Sequence, residues 1–294
     1  MKLFSSRLWA VPALLTTLVL GACGGIDTGL PAIAVPAPLF TAPTPAIASN
    51  VAPAWTPALP DTWQSQTTGA VNADYTATVF NIDLFNTSTT TIQALQGAGK
   101  KVICSFSAGN SDHWRPDFPS FQGDDMGSAV EGTTGARWLD TRSENVRAIM
   151  QRRLDLARGK GCDGVAPDQA EGYAYKTGFD LTAATQRDYN RFLASEAHER
   201  GLAVALKDNV ELVFELAEYF DLAITERCHQ YGECGAYAAF VAAGKPVFNV
   251  EYARIYQQEG SDRDTLCAES KKLGMRTLVL AQTQDDSYRF SCDE

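Results

Sequence analysis

Four carboxylates stand at the ends of short apolar runs of the sequence, and they are the residues best suited to chemistry. They are Asp83, Asp168, Glu226 and Glu251, while a fifth run ends in Lys207. One acid after a strand is more often a helix cap or a solvated loop residue. If the runs are parallel strands of one barrel, however, their ends converge on one mouth, where four carboxylates repel one another without a structural need.

Two carboxylates a few ångströms apart are the groups that glycoside hydrolysis requires. One protonates the departing oxygen, and the other stabilises or captures the oxocarbenium-like centre. Position in the chain favours Asp168 and Glu226 for this pair. Lys207 lies one strand away from each, so it is predicted to lower the pKa of the acid that it approaches and to differentiate the two roles.

Aromatic side chains near the same strand ends suit a sugar site, because pyranose faces stack on rings. Each ring taken alone is more often a core residue. The candidates are Trp63, Trp114, Trp138, Tyr173, Tyr231 and Tyr252.

The elements that must position these residues alternate between strand-like apolar runs and helical patterns from about residue 61 onward. Apolar residues recur at helical spacing near 146–157 and 189–197, and glycines 99, 161, 201, 244 and 274 each precede a strand by one to three residues. The predicted strands are Thr62–Gln66, Thr78–Leu84, Lys101–Phe106, Gly164–Asp168, Leu202–Lys207, Leu222–Glu226, Pro246–Glu251 and Thr277–Ala281.

This alternation predicts an α/β protein with a single (β/α)8 TIM barrel over residues 61–294. A doubly wound open sheet would show the same rhythm, but eight strands favour the barrel. No Gly-x-Gly-x-x-Gly segment or phosphate loop follows any strand, which removes the usual reason for an open nucleotide-binding sheet.

The amino-terminal residues predict export. Lys2 and Arg7 precede an apolar run that ends in Leu20-Gly21-Ala22-Cys23, so residues 1–22 are predicted to be a lipoprotein signal peptide and Cys23 the lipidation site. An ordinary signal peptide is the alternative. Residues 23–60 are rich in Pro and Ala and predict an extended linker. We therefore expect a bacterial cell-envelope lipoprotein, bound to a membrane through its lipid, or a secreted protein.

Composition and short motifs limit which ligands the protein is expected to bind and which kinds of catalytic or metal site it is expected to contain. The formal net charge of −10 disfavours nucleic acid and favours a cationic polymer. The three histidines, with no Gly-x-Ser-x-Gly or His-Glu-x-x-His segment, support neither a catalytic triad nor a histidine metal site. A calcium-type site is disfavoured because no Asp-x-Asp-x-Asp-Gly loop is present. We expect a monomer without metal or other cofactor.

Six cysteines remain after Cys23, and they allow 15 full pairings. The short loop between Cys228 and Cys234 is the best local candidate for a disulfide. Cys104 and Cys162 stand in apolar, strand-like contexts that are also compatible with buried thiols.

At the predicted strand ends the sequence resembles glycoside hydrolase family 114, the endo-α-1,4-polygalactosaminidases. The resemblance rests on WRPD (114–117), WLDTR (138–142), GCDGVAPDQAEGY (161–173), TGFDLT (177–182), LKDN (206–209), TERCHQYGEC (225–234) and GKPVFNVEY (244–252). It implies a barrel that hydrolyses α-1,4-linked galactosamine polymers, with Asp168 and Glu226 as the catalytic acids. We assign Asp168 as nucleophile and Glu226 as acid/base.

The same resemblance implies a set of sugar-binding residues. Trp114 would form a wall of the site, and the wider set is Asp83, Trp114, Asp140, Tyr173, Lys207, Tyr231, Glu251 and Tyr252. Segment 166–169 reads Ala-Pro-Asp-Gln where the family usually has Glu-Pro-Asp-Asn, position 86 is Asn where the family has an acid, and segment 63–66 reads Trp-Gln-Ser-Gln instead of Trp-Gln-Trp-Gln. These departures spare the catalytic pair and affect the subsites.

An acidic mouth would attract unacetylated galactosamine, which is partly cationic near neutrality, and this preference is predicted to weaken with salt. A catalytically inactive, glycan-binding lipoprotein is the alternative function.

Overall fold

The computed structural model describes residues 51–294, so the predicted signal peptide, Cys23 and most of the predicted linker lie outside the described residues. Twelve strands are present in this part of the chain. They are β1 (Trp63–Gln66), β2 (Val79–Asp83), β3 (Lys101–Ser107), β4 (Asn110–Asp112), β5 (Met126–Ala129), β6 (Ala136–Leu139), β7 (Gly164–Asp168), β8 (Ala203–Lys207), β9 (Leu222–Glu226), β10 (Val247–Glu251), β11 (Arg276–Leu280) and β12 (Arg289–Ser291).

Eight of these strands form one parallel sheet in the order β1-β2-β3-β7-β8-β9-β10-β11. They are the eight strands predicted from sequence, and each boundary agrees to within one residue. Strand β12 adds to β11 in the antiparallel sense. The three remaining strands form a small antiparallel sheet in the order β4-β6-β5, inserted after β3, which the sequence did not predict.

The large sheet curls around an apolar interior to which all eight parallel strands contribute. Trp63 of β1 stacks on Phe248 of β10 with the ring centroids 4.9 Å apart. The Trp63 indole N–H also donates to the carbonyl of Arg276, the first residue of β11, at 3.0 Å. The first strand therefore lies against the last ones. The interior residues are Trp63, Val79, Ile103, Ala166, Ala205, Leu222, Ile224, Phe248, Val250, Leu278 and Leu280.

Helices pack on the outer face of this sheet. They are α1 (Thr89–Gly97), α2 (Glu144–Lys160), α3 (Ala183–Glu199), α4 (Val213–Leu216), α5 (Cys228–Tyr231), α6 (Ala238–Ala242), α7 (Arg254–Gln257) and α8 (Ser261–Lys272). Serine or threonine side chains cap α1, α2 and α3 by accepting a backbone N–H of the first turn. All five predicted glycines have positive φ, as the turn from helix to strand requires.

The alternation of strand and helix is incomplete within residues 51–294. Helices follow β2, β7, β8, β9 and β10 directly and follow β3 after the small sheet, but the 67–78 segment between β1 and β2 contains none. This segment is short, and Gly69 turns the chain at φ +78°. After β11 the chain forms β12 instead of an eighth helix.

Three disulfides connect elements that are adjacent in space. Cys228–Cys234 confirms the predicted short loop, and Cys267–Cys292 joins α8 to the residue after β12. Cys104–Cys162 shows that the interpretation of these two residues as buried thiols was wrong. Strand β3 pairs with β7, so Cys104 in β3 meets Cys162, two residues before β7. Their separation of 58 residues in sequence hides this contact.

The last residues of the predicted linker contact the amino-terminal edge of the curled sheet. The Ala54 N–H donates to the carbonyl of Gly201, and the Arg276 guanidinium donates to the carbonyl of Leu59. Trp55 packs against the apolar interior. Within residues 51–294, every helix is too short or too polar to span a bilayer.

The lengths of the disulfide loops predict an order of stability losses. By loop-closure entropy, the Cys104→Ala/Cys162→Ala pair should cost about 4 kcal/mol and the Cys228→Ala/Cys234→Ala pair about 2 kcal/mol. Cys267→Ala/Cys292→Ala should fall between them. Urea unfolding at equilibrium measures all three, and an equal cost for the first two pairs would contradict this account.

Candidate active site

Three neighbouring parallel strands end in the three residues that the sequence singled out. Asp168 ends β7, Lys207 ends β8 and Glu226 ends β9. Lys207 Nζ lies 3.0 Å from Glu226 Oε1 and 3.8 Å from Asp168 Oδ1. The two acids therefore face the same ammonium group. The distance between Asp168 Oδ1 and Glu226 Oε1 cannot exceed the sum of these two distances.

A third carboxylate completes the surroundings of the ammonium group. Asp208 Oδ2 accepts from Lys207 Nζ at 2.6 Å, and its other oxygen accepts the backbone N–H of Glu226 at 2.9 Å. Asp208 thus links the end of β8 to the end of β9. The LKDN segment that contains it was noted in the sequence, but no role was predicted for Asp208.

The electrostatics of the site separate the two predicted catalytic acids. Burial lowers the pKa of Lys207, but Asp168, Asp208 and Glu226 outweigh this and raise it well above its usual range, so the ammonium stays charged. Burial raises the pKa of Asp168, and the Lys207 charge opposes this only in part.

The pKa of Glu226 shifts in the opposite direction. Burial alone would raise its pKa, but the Lys207 charge and hydrogen bond, the Tyr252 hydroxyl and the Arg227 charge together lower it. The surroundings therefore favour the neutral form of Asp168 and the ionised form of Glu226. One protonated and one ionised carboxyl group is the arrangement that acid–base glycoside hydrolysis uses.

A chain of hydrogen bonds holds Glu226 from the far side of the sheet. Gln284 Nε2 donates to the Tyr252 hydroxyl at 2.7 Å and lies 3.4 Å from Glu226 Oε1. Ser65 Oγ donates to Gln284 Oε1 at 2.7 Å and accepts from Asn81 Nδ2 at 3.0 Å. The position of Glu226 thus depends on β1, β2 and the loop after β11. Sequence reasoning missed Gln284, because the loop that carries it has no recognisable pattern.

Sharp turns follow the three strand ends. Gln169, Asp208 and Arg227 come directly after the terminal residues of β7, β8 and β9, and all three have φ between 52° and 60°. Non-glycine residues rarely adopt this left-handed conformation, which costs energy and occurs often at functional sites. A Cβ on Gly109 would lie 1.8 Å from the carbonyl oxygen of Gln169, so the turn after β7 also requires a glycine beside it.

A cleft of about 910 Å³ opens beside Glu226. Its acidic residues include Glu171, Asp208 and Glu226, and burial together with the Asp208 charge raises the pKa of Glu171 to about 7. Its aromatic residues are Trp138, Tyr175 and Tyr231. The remaining lining residues are Asn110, Ala129, Val130, Glu131, Thr133, Gln169, Ala174, Lys176, Val210, Arg227, Glu233 and Gln282.

Three of the predicted sugar-binding residues lie at this site. Lys207 bridges the acids, Tyr252 contacts Glu226, and Tyr231 lines the cleft with 57% of its surface exposed. Tyr175, which lines the cleft two residues after the predicted Tyr173, was not predicted. Tyr173 itself packs against the outer core and donates its hydroxyl to Glu211.

Four other predicted residues lie outside the cleft lining in the described part of the chain. Buried Asp83 forms a two-bond ion pair with Arg115, and Asp140 forms one with Arg142. Glu251 is fully buried, and it accepts the backbone N–H of His229 at the start of α5. Trp114 is exposed and packs edge-on against His113. The acids among them hold elements of the fold in place, and the cleft is lined without these four residues.

One group of potential metal ligands is compact within residues 51–294. It consists of Cys228, His229 and Cys234. The two cysteines form a disulfide, so they provide no thiolate for a metal.

The comparisons with known proteins agree with this geometry. The model of glycoside-hydrolase family GH114 matches residues 44–294. The chain belongs to glycoside hydrolase family 114. The protein is therefore a glycosidase, as predicted.

Two solved structures resemble this family 114 chain. Aspergillus fumigatus Ega3, crystallised in complex with galactosamine, is 36% identical with a TM-score of 0.77, and the match covers 82% of this chain and 98% of Ega3. The glycoside hydrolase domain of PelA from Pseudomonas aeruginosa is 15% identical with a TM-score of 0.58, covers 76% of this chain and 95% of that domain, and supports the fold. No curated protein sequence matches the chain.

Removal of the shared cation should destabilise the fold in a pH-dependent way. Lys207→Met leaves three carboxylates around an apolar side chain, and because they are partly exposed we expect a loss of about 2 to 3 kcal/mol at pH 7. The depressed pKa of Glu226 stabilises the wild type above the ordinary pKa of a glutamate, and this contribution disappears as pH falls.

The difference between Lys207→Met and wild type should therefore shrink as pH falls below about 4, because Glu226 then takes up its proton in the wild type as well. Urea unfolding across the pH range measures it. Lys101→Met, which removes the half-exposed partner of Asp163, serves as the control and should cost less than about 1 kcal/mol. A pH-independent loss for Lys207→Met would contradict the account.

Loss of the Gln284 contacts should raise the pKa of Glu226. Gln284→Ala removes the donor that orients the Tyr252 hydroxyl toward Glu226, and Tyr252→Phe removes the hydroxyl itself. Both variants should raise the pKa of Glu226, shift one limb of the pH profile of kcat/KM to higher pH, and lower kcat by about tenfold. An unchanged profile with a lower kcat would contradict this role.

Proposed function

We propose that this family 114 enzyme is an exported, endo-acting glycoside hydrolase that cleaves α-1,4-linked galactosamine-containing polysaccharide. The observation that carries the proposal is the placement of Asp168 and Glu226 on either side of one buried ammonium group at the edge of a cleft. The cleft volume of about 910 Å³ lies in the range of ligand-binding clefts.

We infer that the curled sheet is a (β/α)8 TIM barrel in which some helices have been lost. All eight parallel strands share one apolar interior, and the contacts of Trp63 with Phe248 and Arg276 bring the two ends of the parallel sheet together. In such a barrel the active groups lie at the carboxyl ends of the strands, where Asp168, Lys207 and Glu226 stand.

The substrate class is proposed from chemistry and from the relative. Ega3 is described in complex with galactosamine, and it is similar to this chain over most of both proteins. The cleft of this chain contains more acidic than basic side chains, and the whole chain carries a formal net charge of −10. Both features favour a sugar polymer with free, partly protonated amines over a neutral or anionic glycan.

We assign Asp168 as nucleophile and Glu226 as acid/base in a double displacement. The Asp168 carboxylate attacks the anomeric carbon while Glu226 gives its proton to the departing oxygen; Glu226 then takes a proton from the water that cleaves the glycosyl ester. The contacts of 3.0 Å and 3.8 Å with Lys207 limit the separation of the two contacting oxygens to the lower end of the inverting range, about 6.5 to 9.5 Å, and we assign retention on that ground.

This assignment has an electrostatic consequence. In the free protein the pKa directions favour the neutral form of Asp168 and the ionised form of Glu226, so the assigned roles require this proton preference to transfer to Glu226 when the sugar binds. Lys207 contacts both carboxylates and can compensate whichever of them carries the charge. The reverse assignment needs no such transfer, and an experiment on the two variants distinguishes them.

Export is supported by the disulfides. Three disulfides within residues 51–294 fit an oxidising compartment outside the cytosol. We propose that the signal peptide of residues 1–22 directs export, and that a lipid on Cys23 anchors a monomeric hydrolase to a membrane through the Pro/Ala-rich segment.

Replacement of either acid should abolish turnover. Asp168→Asn and Glu226→Gln should each lower the release of reducing ends from galactosamine polymer by roughly a thousandfold or more, because each removes a group that bonds to the reacting atoms. Glu215→Gln, an exposed acid on α4 paired with Arg187, is the control. Undiminished release by either catalytic variant would end the assignment, and binding without turnover by the wild type would favour a glycan-binding protein.

Azide should reveal which acid is the nucleophile. With an activated α-galactosaminide, Asp168→Gly plus azide should form the β-glycosyl azide, because azide occupies the empty face of the sugar. Glu226→Gly plus azide should form the α-glycosyl azide from the glycosyl ester. The anomeric configuration is read by NMR, and the reverse pattern would exchange the two roles.

A further inference from the structure

One exposed aromatic ring in the cleft is held in a fixed orientation. Tyr175 stacks on Trp138, with the ring centroids 4.8 Å apart and the planes inclined by 22°. Trp138 is only 5% exposed because it belongs to β6 and packs with Val130 and Ala136, whereas Tyr175 is 52% exposed. The buried indole therefore supports one face of the tyrosine ring and leaves the ring open to the cleft.

A carboxylate accepts a hydrogen bond from the hydroxyl of this tyrosine. Glu171 Oε1 accepts from the Tyr175 hydroxyl at 3.2 Å, and Oε2 accepts the backbone N–H of Asn209 at 3.4 Å. Asn209 is two residues after Lys207, and the charges of Asp168 and Lys207 act on Glu171, so Glu171 lies close to both the aromatic ring and the catalytic pair. Both Glu171 and Tyr175 line the cleft.

The surroundings of Glu171 favour a cation beside it. The charged groups that act on it are Asp208, Asp168 and Lys207, of which the two aspartates disfavour its ionised form. Burial and the Asp208 charge raise the pKa of Glu171 to about 7, so without a bound cation a large fraction of it is protonated near neutrality. An ammonium group nearby would stabilise the ionised form.

Ring and carboxylate together match one ligand chemistry. The apolar face of a pyranose stacks on an aromatic ring, and a protonated amine forms a charge-assisted hydrogen bond with a carboxylate. A hexosamine with a free amine offers both groups on one ring. N-acetylation removes the charge and adds bulk, which would leave Glu171 without a cationic partner.

We propose that Tyr175 and Glu171 form a subsite beside the catalytic pair that selects an unacetylated hexosamine ring of the polymer. The inference rests on the proposed function and deepens it, because it assigns the preference for free amines to two residues of the cleft. A role in stabilising the Gly172–Ala174 turn alone would account for the Tyr175–Glu171 hydrogen bond. It would not make the effect of Glu171 depend on acetylation.

The test measures affinity without turnover. Galactosamine oligosaccharides, either fully deacetylated or fully N-acetylated, are titrated by calorimetry into Asp168→Asn and into the same protein carrying a second change. Added Glu171→Gln should weaken binding of the deacetylated oligosaccharide by about tenfold and leave the N-acetylated one nearly unchanged. Added Tyr175→Ala should weaken both, because stacking does not require the charge, and Tyr175→Phe should weaken binding less than Tyr175→Ala.

Matched controls use exposed residues of α4. Phe214→Ala removes an aromatic ring that is 85% exposed, and Glu215→Gln removes an exposed acid. Neither should change affinity. Circular dichroism establishes that each variant is folded, and Glu171→Ala replaces Glu171→Gln if that protein fails to fold.

The outcomes distinguish the subsite from the proposed function. Equal losses for both oligosaccharides with Glu171→Gln, or no loss with either Glu171→Gln or Tyr175→Ala, would overturn the subsite. If the wild type releases no reducing ends from any galactosamine polymer, the proposed hydrolysis fails, whereas an acetylation-dependent loss of affinity with Glu171→Gln would still support the subsite.

Discussion

The active site is organised by one buried cation. Lys207 sits at the end of the strand between the two that carry Asp168 and Glu226, and it contacts both acids and Asp208. Without that ammonium, three partly buried carboxylates would repel one another, and holding the strand ends this close would cost stability. The same cation lies nearer to Glu226 than to Asp168, so it stabilises the ionised form of Glu226 more strongly. Acid–base catalysis requires such a difference between its two carboxyl groups.

The rest of the fold holds Asp168, Lys207 and Glu226 in position. A parallel sheet brings the carboxyl ends of β7, β8 and β9 to one edge, and a left-handed turn follows directly after each of these strands. Hydrogen bonds through Ser65 and Gln284 connect Glu226 to strands on the far side of the curled sheet. Catalytic geometry therefore depends on a contact between Ser65 and Gln284, which are 219 positions apart in the chain.

Much of this could be predicted from sequence because it is local. Each parallel strand is a short apolar run that ends near a polar residue, and strand ends converge whatever the loops do, so Asp168, Lys207 and Glu226 were found together. The roles of Asp83 and Glu251 could not be read in this way, because the same strand-end position also suits an acid that pairs with Arg115 or holds the start of α5. The Cys104–Cys162 disulfide, Gln284 and the stacked Tyr175 depend on contacts between distant segments, which no local pattern encodes.

The proposed mechanism requires two acids, bridged by a lysine, that act on the same glycosidic bond. A crystal structure of Asp168→Asn with a deacetylated galactosamine oligosaccharide bound across the cleft tests this most directly. We predict that the glycosidic oxygen lies within hydrogen-bond distance of Glu226 and that the anomeric carbon faces the residue 168 side chain at about 3 to 3.5 Å. An oligosaccharide bound elsewhere, or one whose glycosidic bonds all lie beyond reach of both side chains, would contradict it.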